Sequence, residues 1–314
     1  MKKIVLAILL VLVLFIAVVY VFIPNSLTIS SAASFHANRD GVYRFLSDEN
    51  NWQKWWPGSI SKTAGDSIQF RYEDCDLRIE EILYNAVELK VSKNSDTSLA
   101  LFKLVPFTND SIGIEISSEV NARPGPFSRL SAYFMARRLK QVFDGIVLSL
   151  SKYTGELKNI YGMNIKNEKV QYANLISTKQ LFRRYPSTSD VYALIQKLRN
   201  YANKCGAHEL FSPMLHIQKA DSTSYTAQVG IPVDRALPEK DDITSKWMMK
   251  GGNILTGDVI GGQKQIEDAQ RQMELYISDY QRSIIAIPFQ MLITDRTKEP
   301  DSTKWITRLY YPVV

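Results

Sequence analysis

Few side chains in this sequence are spaced for catalysis. Nothing in it has the form of a nucleophile elbow, a Walker loop, an HExxH helix, a Rossmann glycine run or a paired-carboxylate motif. Gly251-Gly252 and Gly261-Gly262 are not phosphate loops, because no Lys-Ser/Thr follows either in register; the second pair breaks the chain before a helix. His36, His208 and His216 lack metal-ligand spacing, and Cys75 and Cys205 form no CxxC. Neither a metal, nor a disulfide, nor a cofactor is therefore expected. Each cysteine sits at an apolar position of its element, which implies a buried, unreactive thiol. The side chain with most chemical reach is Arg308, which shares a strand face with Tyr310 by period two. A guanidinium stays charged, cannot act as a base, and favours carboxylate or phosphate partners. It faces such a ligand, pairs with an internal Asp or Glu, or lies at an exposed strand end.

The elements that would position Arg308 occur twice. Phe211-Ser-Pro-Met-Leu-His-Ile and Tyr225-Thr-Ala-Gln-Val-Gly-Ile-Pro-Val-Asp are echoed by Ile287-Pro-Phe-Gln-Met-Leu-Ile and Trp305-Ile-Thr-Arg-Leu-Tyr-Tyr-Pro-Val-Val. A near-constant offset signals one supersecondary unit used twice. Each echo follows an amphipathic helix. The first starts at a Thr188 or Ser189 cap, carries Val191, Leu194, Ile195, Leu198 and Cys205, and stops at Gly206. The second runs from about Gln263 to Tyr280 with Ile266, Ala269, Met273, Ile277 and Tyr280 on one face. Each unit reads strand–helix–strand–strand, and two such units enclose a cleft. Gln228, four residues before Pro232, is the counterpart of Arg308. Tyr185, Phe211, Trp247 and Phe289 are further candidate cleft walls; each singly reads as core or as ligand wall.

The first half is patterned differently. Leu27–Phe35 reads as a strand, and Asp40 can cap a short helix bearing Val42, Phe45 and Leu46. Trp52, Trp55 and Trp56 precede a Pro57-Gly58 turn. They form a packed corner or contact a ligand, and Trp55 and Trp56 are counted among the candidate binding residues. Ile68, Phe70 and Tyr72 alternate, as do Cys75, Leu77 and Ile79 against Asp74, Asp76, Arg78 and Glu80, and then Ile112, Ile114 and Ile116. This describes an antiparallel sheet with one covered face. After a Pro/Gly break at 121–126, a helix over 128–153 should bury Leu130, Tyr133, Phe134, Val142, Phe143, Ile146, Val147 and Leu150.

Ahead of all this, Ile4 to Ile23 is an unbroken apolar run. At ~1.5 Å per residue it matches a hydrocarbon core of about 30 Å, longer than a signal-peptide core. An uncleaved anchor is expected; a cleaved signal, with Ser31-Ala32-Ala33 as a weak site, is the alternative. Lys2 and Lys3 precede the run, which favours a cytoplasmic N-terminus and soluble domains outside the cytoplasm. The net charge of +6 is scattered, with no basic stripe or helix-turn-helix pattern, so no nucleic-acid partner is expected. The organisation is an anchor (1–25), a first domain (26–156) and a second domain (157–314).

Two resemblances follow from these motifs. Asn38 to Gly58, with its Asn51-Trp-x-x-Trp-Trp-Pro-Gly turn and the strands and long helix behind it, resembles the START-like (SRPBCC) superfamily near the polyketide-cyclase branch. That implies a helix-grip fold, a deep apolar cavity and an apolar ligand. Gly230-Ile-Pro-Val-Asp, Gly251-Gly-Asn-Ile-Leu-Thr-Gly and Leu309-Tyr-Tyr-Pro-Val resemble the gyrase-inhibitor-like (GyrI-like) effector-binding domains of bacterial transcription activators, without a DNA-binding half. That implies an aromatic-lined cleft between the two repeats. Such domains commonly carry a glutamate where this chain has Arg308, so the resemblance points to an anionic or neutral ligand here rather than a cation. The expected class is α+β, and the expected function is membrane-anchored, non-catalytic binding of a hydrophobic or amphipathic small molecule. A cyclase- or hydrolase-like activity in one cleft, and a protein-interaction scaffold with collapsed clefts, are the alternatives.

Overall fold

The structure is a computed structural model that describes residues 2–62, 68–93 and 96–314. The chain is α+β and divides into two compact units, Met1–Glu156 and Leu157–Val314.

The first unit runs α1 (Lys2–Phe22), β1 (Ser26–Phe35), α2 (Arg39–Ser47), α3 (Glu49–Trp52), β2 (Ser59–Lys62), β3 (Ile68–Tyr72), β4 (Cys75–Leu83), β5 (Ala86–Lys93), β6 (Asp96–Thr108), β7 (Ser111–Asn121) and α4 (Pro126–Thr154). Its strands form one antiparallel sheet in the order β1-β7-β6-β5-β4-β3-β2. Period-two alternation puts the row Ser31–Ile116–Phe102–Val87 on one face, all of it buried. The buried stripe of α4 (Ala132, Ala136, Leu139, Val142, Phe143, Ile146, Val147, Leu150) faces the same core, giving the helix-grip arrangement. The stripe differs from expectation in its first half. Small residues, Ala132 and Ala136, line the inside there, and Tyr133 and Phe134 point outward, 42% and 59% exposed. The cap of α2 also differs: Asn38 rather than Asp40 is the N-cap, its side chain accepting from the Asp40 N–H at 2.8 Å.

The second unit runs α5 (Leu157–Tyr161), β8 (Ile165–Lys169), β9 (Asn174–Phe182), α6 (Thr188–Lys204), β10 (Met214–Lys219), β11 (Tyr225–Pro232), β12 (Thr244–Trp247), β13 (Asn253–Ile260), α7 (Gln263–Asp279), β14 (Phe289–Leu292) and β15 (Ile306–Pro312). The sheet order is β12-β9-β11-β10-β14-β15-β13-β8. It is a palindrome about the β10–β14 pair. β9-α6-β10-β11 is repeated by β13-α7-β14-β15, and β12 and β8 extend the two outer edges. The repeat read from sequence is thus the architecture. The helix-facing side is apolar: Ile176, Leu215, Ala227, Val229, Ile231 and Leu292 pack with Val191, Leu194, Ile195 and Leu198 of α6. The cap of α6 is Ser187 rather than the expected Thr188 or Ser189. Ser187 and Asp190 form a reciprocal capping box, and Gly206, at φ 65°, follows the helix.

Candidate functional site

The face of the second sheet turned away from the helices carries the candidate site. Cross-strand register places two rows of side chains on it. One row is Ser177, Gly230, Met214, Met291, Arg308 and Asp258; the other includes Gln228 and His216, then Phe289, Tyr310 and Thr256. Both rows cross the repeat boundary, so each repeat contributes half of one continuous surface.

The two halves are filled differently. In the second repeat, Tyr310 stacks on Phe289 with ring centroids 4.9 Å apart and planes 7° from parallel. Burial raises the Tyr310 phenol above its ordinary value, so it stays a neutral hydroxyl. Beside it Arg308 donates Nε–H to Asp258 Oδ1 at 2.6 Å and Nη2–H to Oδ2 at 2.9 Å. This fork-to-fork pair lies on directly opposed residues of β15 and β13. It raises the arginine pKa further, the Asp258 hydrogen bonds being the main cause. In the first repeat the counterpart of Tyr310 is Gly230, and the counterpart of Arg308 is the uncharged Gln228. Where the second repeat has a stacked ring, the first has no side chain.

The cleft opens there. It has a volume of 360 Å³, and Leu175, Met214, Met248, Trp247, Ile287 and Phe289 supply its apolar walls. Ser177, His216, Gln228 and Lys246 supply its polar groups, with no carboxylate among the lining residues. The His216 ring is oriented by its Nδ1, 2.8 Å from the Pro288 carbonyl. Met214 packs with Tyr172 and Met291, with Met248 and Phe289 against them. Thioethers fill irregular gaps and adapt to ring-shaped guests. A Cβ built on Gly230 would lie 2.9 Å from the Leu175 Cδ1 atom, so a larger side chain there displaces the Leu175 tip and enters the cleft.

Of the candidate wall residues, Gln228, Trp247 and Phe289 line this cleft, with Trp247 at the rim and 69% exposed. Tyr310 supports it from behind Phe289. Arg308 instead lines a separate charged hollow of 330 Å³ with Lys158, Lys166, Glu168 and Asp258. Phe211 lines a third, of 530 Å³, with Tyr192 and the Arg199–Glu209 ion pair, and packs on Tyr172 at 5.0 Å. Tyr185 packs edge-on against Tyr225 at 5.4 Å; burial, with the nearby Glu267, pushes its phenol up to about 12. The largest of these three hollows is the more polar and holds a closed ion pair, whereas the smaller cleft beside Gly230 is mainly apolar with a few polar groups.

In the first unit, Trp52, Trp55 and Trp56 are 0%, 3% and 8% exposed. Their indole N–H groups donate to the carbonyls of Leu46, Phe45 and Arg71 at 2.8, 3.2 and 3.1 Å. Trp52 lies 4.8 Å from Trp55 and 4.6 Å from Phe70, ring to ring. Gly58 completes this corner: a Cβ there would sit 1.9 Å from the Arg71 carbonyl oxygen. The polar handles of Trp55 and Trp56 are thus used inside the fold. The hollow described for this unit is a groove of 950 Å³ between the ends of β6 and β7 and the first turns of α4, lined largely by polar residues such as Thr97, Glu119, Asn121, Arg123 and Ser131. Among the described residues no three His, Cys, Asp or Glu side chains gather as metal ligands would.

No family model and no curated protein matches the chain. Among solved structures it is similar to the EcmrR C-terminal domain, at 14% identity over 48% of this chain and 98% of that one, with a TM-score of 0.42. It is similar to SAV2435 bound to tetraphenylphosphonium, at 12% identity over 48% of this chain and 94% of that one, with a TM-score of 0.34. A START superfamily protein from Mycobacterium smegmatis is similar at 16% identity over 39% of this chain and 98% of that one, with a TM-score of 0.27.

Sequence reading missed Gly230, His216, Lys246, Leu175 and the methionines of the cleft. One signal was available. Aligning the repeats on Pro232 and Pro312 sets Gly230 opposite Tyr310, the largest drop in side-chain size between the equivalent strands.

Proposed function

We propose that this chain is a membrane-anchored, non-catalytic protein that binds a small aromatic or amphipathic molecule in the cleft beside Gly230. The observation that carries this reading is the broken symmetry of the binding face: Tyr310 and Phe289 close the second half, and glycine leaves the first half open. An apolar cleft with a few convergent polar groups is the usual form of a small-molecule site. Lys246 and His216, without a lining carboxylate, support a neutral or anionic head group over a cationic one. The anionic preference does not rest on Arg308, whose charge is matched by Asp258. The groove of the first unit is too polar to support an apolar ligand strongly, so the proposal stands on the second unit. The anchor is α1, whose Lys3–Phe22 stretch is long and apolar enough to cross a membrane; the lysines before it support a cytoplasmic N-terminus with both units on the opposite side.

The test is a calorimetric titration of the purified full chain with naphthalene-2-carboxylate and with 2-naphthylmethylammonium, which share a ring system and differ in charge. The carboxylate should bind more tightly, and Lys246→Glu should weaken it by about tenfold, ~1.4 kcal/mol. Gly230→Tyr, which copies the second repeat, should abolish binding of both while thermal stability holds. Binding that survives Gly230→Tyr would place the ligand elsewhere.

A further inference from the structure

The first three turns of α4 present a surface that the fold does not use. Phe127 is 73% exposed, Tyr133 42% and Phe134 59%. Phe127 and Phe134 are seven residues apart in one helix and so share a face. Arg137 is exposed one turn further on, and the Arg123 side chain, just before the helix, is 87% exposed. The exposed Phe127 and Phe134 rings leave apolar area against water on one helix face, and of the arginines beside them Arg123 lies 3.9 Å from Asp96.

The topology fixes where this surface lies. The end of β7 and the start of β1 are paired through Asn121 and Ser26, so α4 begins at the end of the sheet from which α1 departs. Only Ile23, Pro24 and Asn25 separate α1 from β1. The junction is also clamped. Arg129 donates to the carbonyls of Tyr20 and Ile23 at 3.2 and 2.9 Å, and to Asn25 Oδ1. Its guanidinium lies 4.1 Å from the Tyr20 ring centroid. No basic residue occupies the last turn of α1 itself, so Arg129 supplies the positive charge that the carbonyl end of a helix favours. Val19 and Ile23 are buried at this contact. The start of α4 is therefore held beside the last turns of α1.

We propose that this surface is a second, peripheral membrane contact. The first three turns of α4 lie in the headgroup layer next to α1, with Phe127 and Phe134 in the acyl boundary and Arg123 and Arg137 on lipid phosphates. Rings at the interface with arginines on phosphates is the chemistry that holds interfacial helices to bilayers. The continuity of the surface with α1 selects a bilayer rather than a protein as its occupant. Leu99 at the same end, 55% exposed, extends the apolar rim. This inference rests on the reading of α1 as a membrane span, and the experiment separates the two.

The full chain, with Cys75→Ala and Cys205→Ala, is given one cysteine at a time by Leu12→Cys, Phe127→Cys, Phe134→Cys or Tyr84→Cys. Each is labelled with an environment-sensitive fluorophore and reconstituted in vesicles of phosphatidylcholine and phosphatidylglycerol containing nitroxide-bearing lipid. Tyr84, 83% exposed at the opposite end of the sheet, is the water-facing control position. Quenching at positions 127 and 134 should exceed that at 84 several-fold, and Arg123→Glu with Arg137→Glu should reduce it. Strong quenching at 12, with quenching at 127 and 134 no greater than at 84, would overturn the second contact and leave the anchor standing. No quenching at 12 would overturn both.

Discussion

Gly230 and Arg308 show how single side chains divide the labour of a repeated surface. The second repeat spends its bulk on closure, a ring stack and an ion pair, and the first leaves space by its lack of bulk. The Arg308–Asp258 pair is partly exposed, 37% and 51% by side chain, so solvent screens it. Asp258→Ala should therefore cost at most ~1 kcal/mol of stability in a denaturant titration. A larger loss would mean that the pair also organises the Phe289–Tyr310 stack. Cys75 makes a different prediction. Burial pushes its thiol from 9.0 up to about 11. The fold accepts the neutral thiol, whereas the unfolded chain gains by ionising once pH passes 9.0. Stability contributed by this group should fall as pH rises from about 9 to about 11, and flatten above it. Comparing thermal unfolding of Cys75→Ala with the parent chain across that window isolates the effect. In the folded protein the Cys75 thiol should resist alkylation that the half-buried Cys205 undergoes.

The elements are held in register by local chemistry that can be broken singly. In the capping box of α6, the Asp190 N–H donates to Ser187 Oγ at 3.3 Å, and the Ser187 N–H donates to Asp190 Oδ2 at 2.8 Å. Hydrogen bonds from Ser187 and Arg184 hold the Asp190 carboxyl at about 2, below its ordinary 3.8. Because the folded value is the lower one, this stabilisation is complete above 3.8 and disappears as pH falls toward 2. Ser187→Ala should cost about 1 kcal/mol near neutral pH and progressively less in acid, measured by chemical denaturation. Equal losses at both ends of the range would show that the Ser187 hydroxyl acts through the Asp190 N–H alone and not through the carboxylate. The same scale explains α4. Its inner stripe changes from alanines to large residues along its length, and the turns with alanine inside are the ones with rings outside.

At the scale of the whole molecule, each unit has its own sheet and its own buried core. The first bears the apolar helix and the second bears the apolar cleft beside Gly230. If α1 anchors the chain, membranes washed with alkaline carbonate should retain the full protein and release a chain lacking residues 1–23. Protease added outside intact spheroplasts should then degrade both units, as the N-terminal lysines suggest. Protection of both would reverse the orientation without touching the cleft. Both results are read by blotting and need no knowledge of the ligand.

Much of this architecture was legible in the sequence because periodicity is a local property. The apolar run of α1, the alternation in β4 and β7, the amphipathic faces of α6 and α7, and the echo around Pro232 and Pro312 each follow from side chains near one another in the chain. The candidate site was legible only in part. Gln228 and Phe289 could be placed by the repeat, and Trp247 was only a candidate by type, but a period-two pattern does not say which neighbour lies across the strand. That register made Asp258 the partner of Arg308, stacked Phe289 on Tyr310, and brought Lys246 and His216 to one cleft from distant positions. Likewise, a helical wheel could not tell that Tyr133 and Phe134 face outward, because Ala132 and Ala136 allow the sheet to approach α4 closely only when the two are packed together. Local pattern thus sufficed for the elements, their repetition and the apolar N-terminal helix. Which charges are matched, which half of the binding face is filled and which rings are left exposed emerged only on folding, since each depends on contacts between residues far apart in the chain.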